Sequence, residues 1–140
     1  MRVPARLALG LALLFAGIGH LTFAREQFQA QVPSWLPLDA DLVVVLSGLV
    51  EIALGAALLI TPQRWRPMVG WVVATFFVAI FPGNLAQWIE GRDGFGLDTD
   101  QARFIRLFFQ PLLVVWALWC TGAWRDWRER RRAAPGGAIR

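Results

Sequence analysis

Apolar residues dominate four stretches of the chain, at about 5–24, 41–60, 68–89 and 102–124, with polar or charged residues concentrated between them. A helix needs roughly 20 apolar residues to cross about 30 Å of hydrocarbon, so each stretch predicts a transmembrane helix. The links, 25–40, 61–67 and 90–101, are short. Short links place consecutive helices side by side and antiparallel, which predicts an all-α polytopic membrane protein folded as a four-helix bundle. The bundle is expected over 1–132, followed by a disordered cytoplasmic tail over 133–140 that is rich in Ala, Pro and Gly.

The polar positions inside these stretches carry the next inference. Ionisable and amide side chains within a span are costly, face the bundle interior, and are functional candidates by default. His20 lies about one turn from the end of the first span, on a stripe with Ala8, Ala12 and Ala16 that is expected to face a neighbouring helix. Glu51 sits mid-span between Ser47 and Gly55. In the third span Pro82 frees the carbonyl four residues back, and Asn84 follows it. Arg106 and Gln110 share a face of the fourth span. Pro111 interrupts that helix, and Asp98 with Gln101 resembles a capping box at its start. His20, Asn84, Arg106 and Gln110 fall at one depth with Glu51 beneath them, which predicts one polar cavity and an ion pair between Glu51 and Arg106. The loop over 25–40, with Phe28, Val32, Trp35 and Leu36, reads as an interfacial segment able to cover that cavity.

Charge orients the bundle. All 14 basic residues are arginine, and the formal net charge is +4. Ten arginines flank one side: Arg2, Arg6, Arg64, Arg66, Arg125, Arg128, Arg130, Arg131, Arg132 and Arg140. Cytoplasmic flanks are enriched in positive charge, so both termini are expected in the cytoplasm. The same distribution accounts for the basic balance without nucleic-acid binding. Arg2 and Arg6 before an apolar run also fit a cleaved signal peptide ending near Thr22-Phe23-Ala24, but the run is long for one and a retained helix fits better.

Composition narrows the chemistry. Cys120 is the sole cysteine and His20 the sole histidine, which gives no zinc, haem or iron–sulfur ligand pattern and no intramolecular disulfide. Cys120 reads as a small packing residue.

Five blocks in order resemble the DoxX and DoxX-like family of small bacterial membrane proteins: Gly17-Ile18-Gly19-His20-Leu21-Thr22-Phe23, Pro33-Ser34-Trp35-Leu36-Pro37, Ser47 to Gly55 around Glu51, Phe81-Pro82-Gly83-Asn84, and Arg106-Leu107-Phe108-Phe109-Gln110 with Trp116. The resemblance implies a four-helix bundle in the bacterial inner membrane and an association with quinone-linked or other redox systems. It transfers no catalytic residue set. Three functions are therefore carried forward: a redox-linked subunit binding a quinone or other small hydrophobic ligand, with a membrane or redox protein as partner; a small proton-coupled transporter using Glu51; and a non-catalytic assembly subunit of a membrane complex.

Overall fold

The computed structural model describes residues 1–134, which form helices joined by turns. The elements are α1 (Arg2–Leu21), α2 (Arg25–Gln29), α3 (Ala40–Ile60), a 3-10 turn (Gln63–Trp65), α4 (Arg66–Ile89), α5 (Asp100–Leu107), α6 (Phe109–Cys120) and α7 (Ala123–Ala133). Four segments are long and apolar enough to cross a membrane: Arg2–Leu21, Ala40–Ile60, Gln63–Ile89 and Asp100–Cys120. Their outward faces carry exposed Leu11, Phe15, Leu46, Leu49, Val72 and Leu112. Contiguous apolar surface of that kind suits lipid rather than water.

Local chemistry sets several of the element ends. Asp39 caps α3 by accepting from the Leu42 amide at 3.0 Å, which satisfies one of the donors a helix start leaves free. The start of α5 corrects an expectation: Thr99, not Asp98, is the cap, its hydroxyl accepting from the Ala102 amide at 3.1 Å. Pro111 cannot donate to the Leu107 carbonyl. The helix is broken at Phe108, and α5 and α6 meet there. The fourth span also ends earlier than 124, because Gly122 adopts φ 78° and turns the chain into the separate helix α7. Left-handed backbone of this kind favours glycine. Ala133 still belongs to α7, while most of the expected tail, 135–140, lies outside the described residues.

The closest helix pair is α1 with α3, and glycines are the reason. A Cβ on Gly17 would stand 2.7 Å from the Gly48 carbonyl oxygen, and one on Gly55 would stand 2.7 Å from that of Gly10. The pairings 10 with 55 and 17 with 48 run antiparallel. Small residues allow backbones to meet where lipid supplies no hydrophobic drive between helices. The expected alanine stripe is not this seam: Ala8 and Ala12 are exposed, and Ala12 and Ala16 border a cavity instead. Leu9, Leu13, Leu58, Val73, Phe77 and Ala117 fill the centre, with Cys120 packed among them. Trp116 ties α6 to α1, its indole N–H donating to the Ala5 carbonyl at 3.0 Å.

Candidate functional site

The bundle has two unlike ends. One gathers the start of α1, the α3–α4 turn and α7; the other carries α2 and the two longer loops. At the second end the helices splay around a cavity of about 680 Å³. His20 from α1, Glu51 from α3, Asn84 from α4, Arg106 from α5 and Gln110 from α6 all line it. The rest of the wall is mainly apolar, with Leu13, Val44, Phe77, Ile80 and Leu113 among the lining side chains.

Glu51 meets His20, not Arg106 as its position suggested. Its Oε2 lies 3.0 Å from His20 Nδ1, and both side chains are buried. Nδ1 also lies 2.9 Å from the Ala16 carbonyl oxygen. A carbonyl oxygen can only accept, so Nδ1 carries the hydrogen. The hydrogen bond goes to Ala16, and Glu51 Oε2 keeps no aligned donor of its own. The pairing follows from the glycine seam: Gly48 lies directly against the His20 Cβ, which brings α1 close enough for the ring to reach α3. Two ionisable groups in contact reduce the cost of burying either.

Arg106 occupies another part of the wall. It is half-buried, and its Nη1 is buried without a hydrogen-bond partner. Asn84 and Gln110 form the third polar unit. Asn84 Nδ2 donates to Gln110 Oε1 at 3.0 Å, and Gln110 Nε2 donates to the Phe77 carbonyl at 2.8 Å. Asn84 Oδ1 is buried and has no partner. The carbonyl that Gln110 engages is that of Phe77, adjacent to the Val78 carbonyl that Pro82 releases.

The loops add aromatic residues to the cavity wall, and of these Phe95 was not singled out by the pattern of spans. Phe28 of α2 stacks on the His20 ring, centroids 3.3 Å apart and planes 14° from parallel. Phe95 meets Phe28 edge-on at 4.6 Å. Its backbone has φ 56°, a region non-glycine residues seldom occupy. That turn is held by the Phe95 amide, which donates to Gln27 Oε1 at 3.2 Å. Gly94-Phe95-Gly96 was the available signal, an aromatic set between two glycines in a loop.

Polar ties fasten these two loops together. Arg92 Nη1 donates to the Val32 carbonyl at 2.7 Å, and Gln31 Nε2 donates to Gln87 Oε1 at 3.3 Å. Ser34 donates to Glu90, which holds that carboxyl below the usual carboxylate range. Arg103 is buried and donates to Asp93 and to the Leu97 carbonyl, at 2.8 and 2.9 Å.

Chemically, the cavity offers a donor in Arg106, acceptors in Asn84 and Glu51, and a proton-bearing pair in His20 and Glu51. Among the described residues, no group of three or more His, Cys, Asp or Glu side chains could hold a metal ion. Comparison with curated proteins and with solved structures found no match. A family profile, by contrast, matches residues 9–121, which takes in all of the four spans except the start of α1, and every cavity residue named above, but stops short of α7. The chain belongs to the family described as Domain of unknown function (DUF8561).

Proposed function

We propose that this protein is a DoxX-like, redox-linked subunit of the bacterial inner membrane that binds a quinone or similar small hydrophobic molecule in the cavity. In this reading both termini are cytoplasmic and the cavity opens toward the outer leaflet, in keeping with the arginine distribution. One observation carries it: Glu51 Oε2, Asn84 Oδ1 and Arg106 Nη1 are buried without aligned hydrogen bonds, and all three residues line one largely apolar cavity. Unpaired buried polar groups are costly, and a ligand with polar atoms on an apolar body relieves that cost. The volume is within the range of small-molecule sites, about 300–1,000 Å³.

The polar set suits both forms of such a ligand. A quinone carbonyl accepts from Arg106, and a quinol hydroxyl donates to Asn84 or Glu51. His20 and Glu51 together can hold and pass a proton, while the electrons belong to the ligand and a redox partner. Phe28 and Phe95 supply flat apolar surfaces at the mouth.

The test is mass spectrometry of organic extracts from protein purified in native lipid particles. Wild type is expected to carry an enriched quinone or other small hydrophobic molecule that Glu51→Gln and Arg106→Ala lose. Bulk lipids alone in all three samples would overturn the proposal and leave the polar cluster as glue between helices.

A further inference from the structure

The opposite end of the bundle holds a second site. A cup of about 200 Å³ is lined by Arg2, Arg6, Arg66 and Arg125, together with Asp126 and Glu129. Four arginines and two carboxylates border it: Asp126 is paired with Arg130, outside the cup, at 2.8 Å and Glu129 with the cup's own Arg125 at 3.7 Å, which leaves Arg2, Arg6 and Arg66 without a carboxylate partner among the described residues. Arg6 is buried and fixed by donation to the Leu58 carbonyl, and Arg66 Nε donates to the Thr61 carbonyl at 3.2 Å. Both are therefore positioned cations whose bonds go to neutral groups. Gly122, at the start of the eleven-residue α7, also borders the cup. No side chain caps that helix start, so amide donors add to the positive field there.

An apolar groove of about 350 Å³ adjoins the cup and shares Arg2, Gly122 and Arg125 with it. Its other walls are Val115, Leu118, Trp119 and Trp124. Val115, Trp119 and Trp124 are exposed on the outer face of the bundle, at the end of a segment that is apolar enough to cross a membrane.

We propose that this composite site binds an anionic glycerophospholipid, with its phosphate in the arginine cup and an acyl chain along the Trp119–Trp124 groove. Charge complementarity selects an anion, and the continuous groove selects one that carries a hydrocarbon chain. A free phosphate would use the cup and leave the groove unused. Arg2, Arg6 and Arg125 lie outside the matched family region 9–121, so the site is built largely from this chain's own ends.

The experiment is native mass spectrometry of the full-length protein titrated with phosphatidylglycerol or phosphatidylcholine, with inorganic phosphate as competitor. Three variants accompany wild type: Arg2→Gln/Arg125→Gln, Trp119→Ala/Trp124→Ala, and Arg128→Gln/Arg132→Gln, which makes the same charge change on α7 away from the cup. Arg6 is left intact because it is buried. Wild type should prefer phosphatidylglycerol. The Arg2/Arg125 pair should weaken that binding by about thirty-fold, from the typical contribution of an arginine at an anionic lipid surface. Loss of the tryptophans should shorten lipid retention, and the Arg128/Arg132 pair should change little. Equal loss in the two arginine variants, no preference over phosphatidylcholine, or equal binding by inorganic phosphate would each overturn the proposal.

Discussion

Replacing Gly48 by alanine should loosen the bundle and disturb the cavity through a single methyl group. The new Cβ would stand 2.6 Å from the His20 Cβ and 2.9 Å from the Gly17 carbonyl oxygen. Ordinary carbon contacts lie at about 3.5–4.0 Å, so α1 and α3 must part by about 1 Å. Neither near atom belongs to the free end of a flexible side chain. Overpacking of this kind costs about 1–3 kcal/mol, a change of roughly 5- to 150-fold in the unfolding equilibrium. The same displacement carries His20 away from Glu51, opening their 3.0 Å contact to about 4 Å. The assay is equilibrium unfolding in mixed detergent, read beside extraction of the bound molecule. Leu49→Ala is the control, since Leu49 is the next residue and faces outward, 51% exposed. It should stay within about 0.5 kcal/mol of wild type. If Gly48→Ala proves as stable as Leu49→Ala and retains the same extract, the seam does not position the site.

The other predictions concern the polar units and the cover. Gln110→Leu leaves the Asn84 amide and the Phe77 carbonyl without their bonds and should destabilise the fold by about 1–3 kcal/mol in the same unfolding assay. Phe28→Ala removes the ring stacked on His20, and the bound molecule should dissociate faster with the fold retained, as followed by exchange into empty lipid particles. Unchanged release would show that α2 is only a connector. The Glu90 tie gives a pH effect of definite sign: its carboxyl is lowered by Ser34, so the tie is present above the unfolded-state pKa and is lost as pH falls through the folded one. Hydrogen exchange at the Ser34 amide should therefore accelerate, relative to the intrinsic rate, on acidification in wild type and be fast already at neutral pH in Glu90→Gln.

Sequence alone determined the parts of this protein that depend on one segment at a time. A run of apolar residues dictates a spanning helix whatever surrounds it, and the four runs correspond to α1, α3, α4 and α5–α6 with ends shifted by a few residues. The depth of a polar residue within its run is equally local, so His20, Asn84, Arg106 and Gln110 could be placed at one level with Glu51 beneath them, and all five border one cavity. The interruption at Pro111 follows from covalent chemistry and is legible for the same reason.

Tertiary structure decided the partners. Which side chains touch depends on the rotation of each helix about its axis and on how closely two axes approach, and neither is written in a single segment. The seam of Gly10, Gly17, Gly48 and Gly55 turned α1 so that His20, rather than Arg106, reached Glu51. The same rotation left Ala8 and Ala12 exposed. Loop conformation was hidden for a related reason, because Phe28 and Phe95, separated by 66 residues, meet only after the helices between them have fixed the ends of both loops. Hydrophobicity thus chose the elements, and close packing between them chose the chemistry of the site.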